Sequence, residues 1–430
     1  MPRRTMPSVR LAIPLTLACL VPGCGGEPQE TGSGLAGPDR LLEWEPEELY
    51  AVGGFDAPEW ATFGQVDDVA FDAMGNLYLF DGQVSEVTVV SPAGEFIRRI
   101  GGQGDGPGEI SRGLGMTVFP EGRVAISDLG RRGLVLYDRD GEWLGNIALD
   151  LSKEGLPGPD MAAHPDGWIL SAQPLRMTVR QPGEEESGPS EPGRRPVYMY
   201  PTEEGAHAYE LFAGWDPPEP GGGEETTMEA GAGDNRVAVR MAPLQAFEPG
   251  LQIAILPDGL VAVVDSTTYR IRLLDPEGEE VGALSRPIEP REVTERIQAL
   301  ERERRLADLQ EDGGGAVRVL GGGNVSFDQA QVRRALRERI ESMSFHPEVP
   351  VVAALAADGS GRLWVRRSGA VPGEPGPVDL ITPTGDYLGT LPPEGLGIPE
   401  AFGPDGLVAI RESDAYDVVT IRVLRLPVEP

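Results

Sequence analysis

The sequence predicts an all-β fold of six repeated four-stranded sheets, and three observations predict it. A short apolar strand, a tight turn ending in glycine and an alternating strand recur along the 430-residue chain. The turn glycines are Gly75, Gly122, Gly167, Gly259, Gly361 and Gly406, spaced by 47, 45, 92, 102 and 45 residues. Three intervals are one repeat, and the other two are one repeat plus an insertion. A second glycine turn recurs inside the units, at Gly94, Gly141, Gly278 and Gly385, and leads into a last strand such as 96–100 or 143–147. A fixed period in this range signals a repeat architecture. Four strands of about five residues joined by glycine turns make one blade of a propeller. The expected fold is a six-bladed β-propeller.

The chain opens on a basic leader, with Arg3, Arg4 and Arg10 and no acids, followed by a mostly apolar run over 11–22. Gly23-Cys24-Gly25-Gly26 closes the run. That order describes a secretory signal, and the apolar run is too short to span a bilayer as a helix. Val21-Pro22-Gly23-Cys24 resembles the lipobox of bacterial lipoproteins. The resemblance implies cleavage before Cys24, acylation of Cys24 and attachment to a membrane, periplasmic or cell-surface. Gly25 resembles the residue found there in lipoproteins sorted to the outer membrane. Residues 24–40 are polar and rich in Gly and Pro, which suits a flexible tether. The expected organisation is therefore a signal peptide over 1–23, a tether over 24–40 and a propeller over 41–430.

The first five units supply their own four strands, but the sixth, from Pro399 onward, has three before the chain ends. Glu48-Leu-Tyr-Ala-Val-Gly53-Gly54 reads like the missing fourth, matching Phe96-Ile-Arg-Arg-Ile-Gly101-Gly102. An N-terminal strand completing the last blade would leave no open edge between the first and last blades. Asp265-Ser-Thr-Thr-Tyr-Arg270-Ile-Arg-Leu-Leu-Asp275-Pro-Glu-Gly278 shows the fuller pattern of Asp, strand and Asp-x-x-Gly turn. It resembles the NHL-repeat type of six-bladed propeller, and Gly101 to Glu109 resembles an inter-blade segment of bacterial propeller lipoproteins. The resemblance implies a fold and no particular activity.

If strands a to d run outward from the axis, a–b and c–d turns share one face, while b–c turns and d–a crossovers share the other. The long segments all belong to the second set: 173–195, 213–247 and 288–345. Loop length gathered on one face marks the expected working face. The first two insertions are acidic and rich in Gly and Pro. The third predicts a helical hairpin between blades four and five. Its first helix, over 292–308, has Thr294 as N-cap. Its second, over 327–343, has Val332, Leu336, Ile340 and Met343 at helical spacing. Arg302, Arg304, Arg305, Arg333, Arg334, Arg337 and Arg339 gather here, so the hairpin reads either as packing over the propeller mouth or as a docking element for an anionic partner.

A net charge of −32 argues against nucleic-acid binding. Both cysteines, Cys19 and Cys24, precede the predicted domain, which excludes a disulfide framework or cysteine nucleophile in it. The three histidines fall on different units without ligand spacing, and no Gly-x-Ser-x-Gly elbow or phosphate loop occurs. No catalytic residue is therefore assigned. Six residues after the turn glycines stand Asp81, Asp128, Gln173, Asp265, Arg367 and Glu412, at the ends of b strands. Asp68 and Asp160 stand where a strands start. Such oxygens could ring a ligand or hold Ca²⁺. An Asp ending a strand also caps backbone N–H groups itself. Two functions follow: a membrane-tethered module binding a protein, peptide or glycan on the insertion-bearing face, or a Ca²⁺-dependent lactonase-like hydrolase. The second rests on resemblance to a propeller class with Glu, Asn and Asp at the axis, where this chain has Asp68, Asp160 and Glu400 without a clear Asn.

Overall fold

The computed structural model describes residues 35–172, 174–175, 195–214, 226–230, 237–241, 243–311, 329–414 and 416–427. Cys24, the expected signal segment and Gln173 lie outside them, as do 176–194 and 215–225 of the acidic insertions.

Six four-stranded antiparallel sheets follow one another. Blade one is Val66–Phe71, Leu77–Asp81, Glu86–Val90 and Phe96–Gly101. Blade two is Gly113–Val118, Val124–Asp128, Gly133–Tyr137 and Trp143–Ala148. Blade three is Met161–Ala163, Ile169–Ala172, Arg195–Tyr200 and Tyr209–Gly214. Blade four is Gln252–Ile255, Val261–Val264, Arg270–Leu274 and Glu280–Ser285. Blade five is Val352–Ala357, Leu363–Arg367, Val378–Ile381 and Tyr387–Leu391. Blade six takes Ala401–Phe402, Leu407–Ser413 and Val419–Arg425 from the C-terminal end of the chain and Glu47–Gly53 from the N-terminal end. Glu47 faces Arg425 and Gly53 faces Thr420, so the expected closure by an N-terminal strand is present.

The packing explains the composition of the strands. Each b strand is covered by neighbours on both faces, and all five residues of Leu77–Asp81 and of Val124–Asp128 are buried. The outermost strands of blades one and two are mostly exposed, as in Phe96–Gly101. Tyr78, Phe80 and Val89 of blade one interlock with Met116, Ile126 and Tyr137 of blade two. At the closing joint Val52, Ile421 and Leu407 meet Val69, Phe71 and Leu79. Trp364 is fully buried, whereas Trp143 is 43% exposed on an outermost strand.

All six a–b turn glycines have left-handed backbone, with φ between 74° and 91°, which a side chain would strain. An Asp closes turns of both kinds: in the a–b turn of blade one Asp72 Oδ1 accepts from the amides of Met74 and Asn76, and the c–d turns close in the same way. Asp138 Oδ1 accepts from the amides of Asp140 and Glu142, and Asp275 Oδ1 from those of Glu277 and Glu279. In blade three His164 stands at the corresponding place in the a–b turn. Its Nδ1 accepts from Asp166 N at 3.2 Å, which leaves Nε2 to donate to Gly259 O at 3.0 Å in the next blade.

Two expectations need correction. The last residues of the expected tether are docked, because Leu35 is buried between blades four and five and Asp39 is held by Arg286. The first helix, α1, spans Glu295–Glu311 and so begins three residues late. Arg291–Glu292 instead pairs with Glu348–Val349. Thr294 is the N-cap, with its carbonyl accepting from Gln298 N at 3.0 Å. The second helix, α2, spans Gln329–Glu341; Val332, Ile340 and Met343 are buried as expected. Gln245–Ala246 pairs in parallel with Ser344–Phe345, which stitches the crossover before blade four to the one after it.

Candidate functional site

The insertions converge where the innermost strands of blades four and five begin. The crossover into blade four supplies Phe247, Glu248 and Gly250. The next crossover supplies Arg291, Ile297 of α1, Val349 and Pro350, and the b–c loop of blade five supplies 368–374. Together with Gln252, Val352 and Ala353 they enclose a cleft of about 300 Å³, at the small end of the range for ligand pockets. All these segments belong to the b–c and d–a set.

The cleft is held from several sides. Arg291 donates to Gly369 O at 2.6 Å and Ala370 O at 2.7 Å, fixing the loop to the helical insertion. Ser368 Oγ donates to Pro350 O at 2.6 Å. Glu248 is paired with Arg195. Phe247 is left-handed, with φ of 61°. A bulky side chain keeps that backbone only where its surroundings enforce it. Here the ring lies 6.2 Å from that of Phe345, behind the parallel strand pair. The lining mixes apolar surface (Ile297, Val349, Val371, Pro372) with Gln252, Glu374 and backbone groups, an arrangement suited to holding a ligand.

The candidates named from sequence fall into three groups. Asp81 and Asp128 close backbone turns: Asp81 accepts from Gly64, Gln65 and Gln83 amides, and Asp128 from those of Ser111, Arg112 and Arg131, all within 3.2 Å. Asp265 pairs with Arg272 at 3.1 Å, Glu412 with Arg422 at 2.6 Å and Arg367 with Asp39 at 2.5 Å. Asp68 lies at the axis, where its Oδ2 accepts from Met116 N at 2.7 Å. Burial pushes its carboxyl up to about 7 against that hydrogen bond, and the charges of Asp67, Asp160 and Glu400 add to the rise. Asp160 is exposed, and Glu400 is held by Arg411. Among the described residues no three His, Cys, Asp or Glu side chains come together as a metal-holding group.

Two features escaped the sequence. The cleft joins loops far apart in the chain, and only their shared face was legible. A buried ion cluster also joins blades four and five: Arg286 to Asp379 at 2.8 Å, with Arg367 and Asp39. No periodic pattern marks Arg286 or Asp39. A larger groove, about 770 Å³, lies at the opposite end between short turns, lined by Arg362, Pro383 and Asp405.

A protein-family profile described as a 6-bladed beta-propeller matches residues 58–167, about a quarter of the chain. The fold itself rests on the six four-stranded sheets of the described residues. The chain is a six-bladed β-propeller.

No curated protein matches this propeller. Among solved structures, a Bacteroides fragilis protein described as exported is 12% identical, with 93% of this chain and 98% of that one covered at a TM-score of 0.47. A member of the duf4221 family from Bacteroides vulgatus is 10% identical, with 90% and 99% covered at 0.46. The calcium-binding protein regucalcin from Agrobacterium tumefaciens is 14% identical, with 90% and 97% covered at 0.36. Likenesses at this level carry nothing about ligand or chemistry. Among the described residues, no helix is long and apolar enough to cross a membrane.

Proposed function

We propose that the propeller is an exported, membrane-tethered binding module that engages a protein, peptide or glycan at the cleft on its insertion-bearing face. The observation that carries this reading is the convergence of two separate crossovers and one b–c loop on a single cleft where blades four and five begin. Loops raised on a rigid scaffold are where binding surfaces are built. The lipobox-like Val21-Pro22-Gly23-Cys24 supports the tether. Labelling with a fatty-acid analogue should mark the wild-type chain and fail on Cys24→Ser.

A photo-crosslinking side chain tests the face. Placed at Val371, on the cleft wall and 37% exposed, it should yield one discrete adduct from envelope extracts. Placed at Met74, in the a–b turn of blade one and 65% exposed, it should yield none. Adducts at Met74 alone would overturn the assignment. The hydrolase reading has only the acids around Asp68 behind it, and Glu400 among them is already paired with Arg411. Lactone turnover abolished by a chelator would restore it; otherwise calcium should leave the melting temperature unchanged.

A further inference from the structure

The residues ahead of the closing strand are gripped where blades four and five meet. Arg286 is buried and donates to Leu35 O at 3.2 Å, Gly37 O at 3.1 Å and Asp39 Oδ1 at 3.1 Å. Arg367 donates to Asp39 Oδ2 at 2.5 Å. Leu35 is buried in the apolar seam alongside. Backbone pairing adds little: Thr390 N donates to Arg40 O at 2.8 Å, and Leu42 N to Thr390 O at 2.9 Å. The strand Glu47–Gly53, by contrast, pairs along its whole length.

Without this segment the seam keeps its inner pairings, while Arg286 Nε and Nη2 and Arg367 Nη2 lose their acceptors. Arg286 keeps Asp379 at 2.8 Å and lies 4.4 Å over the Tyr387 ring, and Asp379 keeps Thr390 Oγ1 at 2.6 Å. What remains is two guanidinium groups for one carboxylate, beside an apolar slot. That is a preformed cationic site matched to a carboxylate.

We propose that this seam is a peptide-recognition site for an extended segment with an apolar residue four positions before a carboxylate. Residues 35–42 are its resident, detachable ligand, a strap that docks and leaves while the propeller stays folded. Arg367 also begins the 368–374 loop that walls the cleft, so strap docking and loop order share one element and are linked in both directions. The proposal stands apart from what the cleft binds.

Hydrogen exchange and trypsin cleavage after Arg40 test it in the full chain. Asp39→Asn should speed exchange at Leu42 and cleavage at Arg40 about tenfold, the loss of roughly one charge-assisted hydrogen bond. Exchange over 369–374 should rise with it, while the melting temperature stays put. In the wild type, an excess of synthetic peptide 35–43 should likewise release the strap, and the same peptide with Asp39→Asn should not. Exchange at Leu42 only through global unfolding, or equal competition by both peptides, would overturn the proposal. An unchanged 369–374 would overturn the link to the cleft.

Discussion

Carboxylates in this propeller do two kinds of work, and single substitutions separate them. Asp128 is fully buried and accepts from three backbone amides. Asp128→Ala strands those donors and should cost about 2–3 kcal/mol in denaturant unfolding. Asp68 is different, because burial and neighbouring acids raise its carboxyl to about 7. Its folded value lies above the unfolded one of 3.8. The native state therefore holds the extra proton between those values, and stability falls as pH rises through that window. Asp68→Asn keeps an acceptor for Met116 N and cannot ionise. It should raise the melting temperature at pH 8 by on the order of 2–4 °C, with the gain shrinking toward pH 4. A gain independent of pH would remove Asp68 as the cause. The turn carboxylates were legible because each sits at a fixed offset from a glycine. His164 was not, since a histidine at that offset spans two blades through Gly259 rather than repeating the Asp geometry.

At the scale of elements, the helical insertion is a separable addition. Its stems are joined by the Arg291–Glu292 and Glu348–Val349 pair and by Val293 N donating to Pro347 O at 2.8 Å. Its core, Ile340 and Met343 with Leu306 and Phe345, faces the crossover at Ala246 rather than the blades. Replacing 295–343 with a short Gly-Ser linker should leave cooperative melting within a few degrees of wild type, and should abolish crosslinking from Val371. A collapse of melting would mean that the hairpin belongs to the core. Helical spacing announced both helices, and Thr294 announced the cap of the first, although the helix was expected from 292 and begins at 295. That 291–292 are strand depends on a pairing with residues nearly sixty positions away, which local pattern does not carry. The ion cluster of Arg286 was illegible for the same reason: its partners stand at 35, 39 and 379.

For the molecule as a whole, cohesion comes from sheets covering one another's faces around a ring, and a ring is only as sound as its last joint. Val52, buried with Ile421 and Val423, carries the apolar contact from blade six to blade one. The six glycine turns and the missing fourth strand of the last unit made this closure readable before any coordinates. The working face was readable only as a side, since the cleft depends on how three distant loops meet. The most direct measurement is thermal unfolding of a chain lacking residues 41–54. Loss of the closing strand should abolish the single cooperative transition and expose the joint between the first and last blades to protease. A transition unchanged in temperature and sharpness would contradict the closed ring.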